Sequence, residues 1–102
     1  MTLKQLEHII AIAREKSFRR AAEVCFVEPP ALSLSVKKLE GELGIALFER
    51  GGSSSVRITP LGEQIVAYAE RALAEAATLK DLAAVARRNP TATTLTSGKI
   101  YT

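Results

Sequence analysis

Leu32, Val36, Leu39 and Leu43 recur at steps of 4, 3 and 4, which at about 100° per residue places four apolar side chains on one narrow helical face. Four residues fix the rotation of a helix running from Pro30 to Glu42. Its opposite face is then Pro30, Ala31, Leu34, Lys37, Lys38 and Gly41, with Ser33 and Ser35 on the two flanks. That face is made of small residues at its start and is basic further on. Charge of this kind marks either a solvated surface or a helix that enters a nucleic-acid groove, and the neighbouring segments must decide between them.

Upstream, Thr2 and Gln5 stand at the spacing of a reciprocal capping box and start a first helix. Its inward stripe reads Leu3, Leu6, Ile9 or Ile10, and Ala13. Ser17 and Phe18 break that pattern. A short second helix is predicted from Arg19 to Val24, with Ala21 and Ala22 permitting close approach to the next, and Phe26 and Val27 lead into the turn. Downstream, the third helix stops near Gly44, and Ile45, Leu47 and Phe48 carry apolar groups into a strand that Glu49 and Arg50 end. Gly51 to Ser55 is a glycine and serine tip, after which Val56, Arg57 and Ile58 alternate as a half-buried strand does. Three helices and a hairpin in this order predict a mainly α fold, a winged helix-turn-helix.

Thr59 and Pro60 supply a capping oxygen and a first-position proline, so a long helix begins there. Along it Ile65, Ala69, Ala72, Ala76, Leu79, Ala83 and Ala86 recur at steps of 4, 3, 4, 3, 4 and 3, a 3.5-residue mean. A helix of roughly 30 residues spans about 45 Å and overhangs a domain this small. The simplest cover for its stripe is the same helix of a second chain; the alternative is that it folds back on its own domain. Five of the seven positions are alanine, so Leu73, Leu82 and Val85 would have to add contact area. The expected organisation is a winged domain over 1–59, a linker and dimerisation helix over 60–89, and a linker over 90–102 opening toward a further domain, with a strand starting at Lys99.

The chain has 102 residues with 14 Lys and Arg against 11 Asp and Glu, a balance that permits nucleic acid as a partner without demanding it. The apolar run IIAIA is too short for a secretory signal, and no segment approaches the roughly 20 apolar residues of a membrane span, so a cytoplasmic location is expected. A single cysteine, Cys25, excludes an intrachain disulfide and a cysteine-based metal cluster. No catalytic constellation can be assembled: His8 is the only histidine and reads as solvated or packed, Cys25 reads as a packed thiol, and Gly51-Gly52 lacks the lysine of a phosphate loop. The reading is of a non-enzyme without metal or cofactor. A protein-interaction module of the same fold, dimeric and binding DNA weakly or not at all, is the competing class.

The stretches SFRRAAEVCFV, PALS, KKLEGELGIALFER and VRITPLGE, in order over about residues 2 to 88, resemble the N-terminal DNA-binding domain of the LysR-type transcriptional regulators. FRRAAEVC, LSLSVKKLEGELG and the closing IYT are similar to the peroxide-sensing OxyR branch. The resemblance implies homodimers through the long helix, tetramers in full-length proteins, binding to pseudo-palindromic double-stranded promoter DNA, and an effector ligand or oxidant acting only through a C-terminal domain that this chain lacks. It implies that Pro30, Ala31 and Ser33 approach bases and phosphates, that Lys37 takes a basic DNA-facing position, that Arg19 and Arg20 meet the backbone, and that Arg50 and Arg57 act from the wing. On the helical wheel Ser35 and Lys38 complete the DNA face. The family's frequent Arg is Leu34 here, near the centre of the outward face, where it either contacts a thymine methyl or is merely exposed. The family's usual Ser-Gln before the proline is Glu28-Pro29 here, and its basic wing tip is GGSSS.

Overall fold

The computed structural model describes residues 1–49 and 55–89. Thr2 caps the first helix, α1 (Leu3–Glu15), accepting from the Gln5 amide at 3.1 Å while the Gln5 side chain accepts from the Thr2 amide at 2.9 Å. Lys16 ends it in the left-handed region. Ser17 then caps α2 (Phe18–Cys25), its hydroxyl accepting from the Arg20 amide at 3.1 Å. The helix is thus one residue longer at each end than Arg19 to Val24, because the break at Ser17 is the cap itself. Phe26 closes α2 at φ 58°, a conformation that costs an L-residue on the order of 1 kcal/mol.

The third helix, α3 (Pro29–Leu43), has prolines at its first two positions, where no amide is needed, and Gly44 at φ 74° as its C-cap. A two-stranded antiparallel hairpin follows, β1 (Phe48–Glu49) and β2 (Arg57–Ile58), with Phe48 opposite Ile58 and Glu49 opposite Arg57. The last helix, α4 (Pro60–Arg88), is capped by the Thr59 hydroxyl, which accepts from the Gly62 amide at 2.9 Å. The fold is a mainly α winged helix-turn-helix with a small hairpin wing and a long C-terminal helix.

Leu32, Val36 and Leu39 are fully enclosed, while Leu43, at the helix end, is 37% exposed. The helical rotation inferred from their spacing is the observed one. In α1 the expected stripe is too narrow. Leu6, His8, Ile9, Ile10, Ala11 and Ile12 are all buried, whereas Leu3 is exposed and Ala13 half-buried. The reason is position: α1 packs against α2, α3 and α4 together, so three of its sides face protein. Leu47 and Phe48 close the core under the wing, where the Phe48 ring meets that of Phe18 edge to face at 6.2 Å. Each such enclosed aliphatic or aromatic side chain contributes about 1.5–3 kcal/mol of hydrophobic stabilisation.

Val66 and Ala69 of α4 join this core, and Ile65 and Leu73 pack against its edge. The first two members of the proposed seam, Ile65 and Ala69, therefore already serve the single chain. At about 100° per residue, Val66, Ala69 and Leu73 define one face of α4, and Tyr68, Ala72, Leu79, Leu82 and Ala86 cluster on another, roughly a third of a turn away. Leu79 is 67% exposed, and Tyr68, Leu82 and Val85 are exposed with it. Among the described residues no helix is long and apolar enough to cross a membrane.

Candidate nucleic-acid interface

The core contacts of Leu32, Val36 and Leu39 turn the opposite side of α3 outward. Pro30, Ala31, Leu34, Lys37, Lys38 and Gly41 are exposed there, Leu34 at 55%, and Ser33 and Ser35 lie half-buried on the flanks. The first turn therefore presents a slender ridge of proline and alanine, and the two lysines follow further along the helix. Leu34 stands between these parts as an exposed apolar side chain.

Ser35 is the flank residue with an internal partner. Its Oγ lies 2.8 Å from Nδ1 of His8 on α1, so its hydroxyl is engaged on the side of α3 that faces the core. His8 is accordingly a buried residue with a hydrogen-bonding role rather than a solvated one. Burial pushes its imidazole below the usual histidine range; Glu7 pulls upward and Lys4 downward, both more weakly. The buried position inside an apolar run was the sequence signal for this role, and the narrow α1 stripe hid it.

The remaining basic residues sit on other elements. Arg19 and Arg20 are exposed on the first turn of α2, and the Arg20 guanidinium lies 3.5 Å from a Glu15 carboxylate oxygen. An exposed pair of this kind contributes little and leaves the arginine available to a stronger anion. Arg57 is exposed on β2, opposite Glu49. Arg50 and most of the GGSSS tip lie outside the described residues. Cys25 is half-buried at the end of α2, and burial pushes its thiol upward, away from the thiolate form that reacts.

At the N-terminus of α3, Glu28 is the capping residue, exposed and with no hydrogen bond from its side chain to the helix. Pro29 and Pro30 remove two of the amides that a helix start otherwise presents to an anion. The family of bacterial regulatory helix-turn-helix proteins named for LysR matches residues 3–63, a span that contains α1, α2, α3, the wing and the start of α4. The chain belongs to the LysR family.

Several relatives place it within that family. The DNA-binding transcriptional dual regulator OxyR of Escherichia coli is 42% identical over 83 residues, which are 81% of this chain and 27% of the relative. A full-length OxyR variant from Pseudomonas aeruginosa superimposes with a TM-score of 0.80 at 50% identity, covering 83% of this chain and 28% of that one. The BenM DBD in complex with benA site 1 DNA gives 0.81 at 34% identity, covering 87% of this chain and 99% of that one. The chain is a LysR-type DNA-binding domain closely related to the OxyR-type regulators, and not an enzyme. It spans about a quarter of the length of the curated relatives it matches, 27% for the first of them.

Proposed function

We propose that this chain binds double-stranded DNA in a sequence-specific manner as a homodimer, and that it directs a cytoplasmic transcriptional regulator to pseudo-palindromic promoter sites. The observation that carries this reading is the outward face of α3, whose rotation is set by the fully enclosed Leu32, Val36 and Leu39. Pro30, Ala31 and Ser33 at its start fit the width of a major groove, Leu34 offers an apolar surface to a thymine methyl, and Lys37 and Lys38 meet phosphates. Arg19 and Arg20 reach the backbone from α2, and Arg50 and Arg57 from the wing. Ser35 supports this face through His8.

Two apolar surfaces that the single chain leaves uncovered support a second copy packed along α4. One is an open groove of about 240 Å³ at the root of α4, lined by Met1, Leu39, Leu43, Ile65, Tyr68 and Ala72 among others. The other is the far half of α4, where Leu79, Leu82 and Val85 are exposed. If two α4 helices run antiparallel about a two-fold axis, the far half of each covers the groove of the other, and both surfaces are buried at once. Ala72, Ala76, Ala83 and Ala86 let the helix axes approach closely. The same two-fold sets the recognition helices one helical turn, or a multiple, apart on DNA.

The test is a salt series on duplexes that the chain selects from random DNA. Phosphate contacts give a slope of log affinity against log salt of about −0.9 for each phosphate neutralised. A steep slope together with a palindromic consensus supports the reading; a flat slope assigns the fold to protein docking instead.

A further inference from the structure

Four backbone amides converge on Glu40 of α3. Its carbonyl accepts from the Gly44 amide at 2.8 Å and the Ile45 amide at 3.2 Å, and its carboxylate Oε2 accepts from the Leu47 amide at 2.7 Å and the Phe48 amide at 3.3 Å. The whole connection from α3 to β1 is thus wrapped around one half-buried residue. Hydrogen bonds from amides to an ionised carboxylate are about twice as strong as neutral ones. Leu47 is held from the opposite side too, since its carbonyl accepts from the Thr59 amide at 2.9 Å.

Among the described residues the ladder has two residues per strand, too short to define the orientation of a hairpin by itself. The placement of the wing against α3 therefore depends on its attachments outside the ladder: beside β2 the Val56 amide donates to the Lys16 carbonyl at 3.1 Å, and β1 is held at its base. Glu40 makes that attachment from α3, on the turn that follows Lys37 and Lys38, and the β1–β2 register carries it on to Arg57 opposite Glu49.

We propose that Glu40 is a positioning residue for DNA binding: its carboxylate sets the wing against the recognition helix so that Arg57 and the outward face of α3 engage one duplex together. The inference rests on the DNA-binding reading above. Glutamine is the informative replacement because it has the same shape and nearly the same helix propensity. It retains one neutral acceptor, and its amide hydrogens oppose those of Leu47 and Phe48 if it turns the other way.

The experiment is a double-mutant cycle of Glu40→Gln and Arg57→Ala on the 102-residue chain, with fluorescence anisotropy on a labelled duplex selected by the wild-type protein, repeated across salt concentrations. Arg57→Ala should weaken binding several-fold and make the salt slope shallower by about 0.9 for each wing. Glu40→Gln should produce the same loss of slope with Arg57 still present, leave base preference at the α3 contacts unchanged, and add little in the double mutant. Circular dichroism melts confirm that each variant is folded. Should Glu40→Gln unfold the chain, Glu40→Asp, one methylene short but still charged, takes its place in the cycle. Additive losses with an unchanged slope for the Glu40 variant overturn the inference while leaving DNA binding intact. Absence of salt-dependent binding by the folded wild-type chain overturns the DNA-binding reading, and the inference with it.

Discussion

Nδ1 of His8 and Oγ of Ser35 lie 2.8 Å apart, a hydrogen bond that ties the centre of α1 to the flank of the recognition helix. Burial favours the neutral imidazole, so the folded chain binds a proton at His8 less readily than the unfolded chain does. The stability this contributes is fully present above the unfolded histidine value of about 6.5 and is lost as pH falls through the lower folded value. Unfolding free energies from urea titrations between pH 7.5 and 5.5 should therefore decline as pH falls, with a slope of at most about 1.4 kcal/mol per pH unit from one such group. His8→Gln, which keeps a partner for Ser35 and cannot titrate, should flatten that decline. Parallel curves for the two proteins would show that His8 is not its source.

Two glycines in helices should respond to alanine with opposite signs. A Cβ on Gly62 would collide with the Leu47 carbonyl oxygen and crowd Thr59 Oγ1 at 2.9 Å and Ile58 Cγ1 at 3.0 Å. The backbone oxygen cannot withdraw without breaking the bond it accepts from the Thr59 amide, so Gly62→Ala should destabilise by about 1–3 kcal/mol. Gly41 meets nothing within 4 Å, and Gly41→Ala should stabilise α3 by about 0.5–1 kcal/mol through helix propensity alone. Equilibrium denaturation of both variants checks the pair; equal effects at the two sites contradict the close approach at Gly62.

Oligomeric state should respond to charge on the free face of α4. Ala72 and Leu79 are exposed in the single chain, so Ala72→Glu and Leu79→Glu should leave its fold and helical signal intact. In an antiparallel pair each glutamate is buried against the partner helix and opposes dimer formation. Sedimentation equilibrium should show monomer for either variant, together with loss of binding to two-half-site DNA. A variant that remains dimeric at the wild-type concentration range removes α4 from the interface.

The parts of this domain that announce themselves in the sequence are those with a period or a cap. The Leu32, Val36 and Leu39 stripe, the Thr2 and Gln5 box and the Thr59-Pro60 start each follow from local geometry that a few residues determine. Residues acting across the chain carry no such signature. Glu40 reads as one more charge on a helix because the four amides that converge on it belong to the backbone, which leaves no trace in residue identity. His8 is obscured by the burial of α1 on three sides, where no single stripe separates inside from outside. On α4 the core face and the free face lie close enough for alanine to serve both, so one heptad line ran through Ala69, which is enclosed, and missed Tyr68, which is not.

At the start of α3, an exposed glutamate caps the helix without a side-chain bond, and two prolines follow it. Its charge favours the positive end of the helix by about 0.3–1 kcal/mol, so the fold loses little. In the proposed DNA complex the carboxylate would face phosphates, and Pro29 offers no donor to a base. Glu28→Ser with Pro29→Gln restores a capping hydroxyl and a side-chain amide capable of bidentate contact with adenine. The double substitution should tighten binding to its own selected operator by at least about 1 kcal/mol, the lower end for one good base contact. Anisotropy at one fixed salt concentration compares the two proteins, each on the operator it selects and on the other's. A double mutant that binds its own operator no better than the wild type binds its own would mean that Glu28 already reads a base here, with the carboxylate accepting from the amino group of a cytosine. In that case the wild-type operator should carry a G·C pair at the same position in both half-sites.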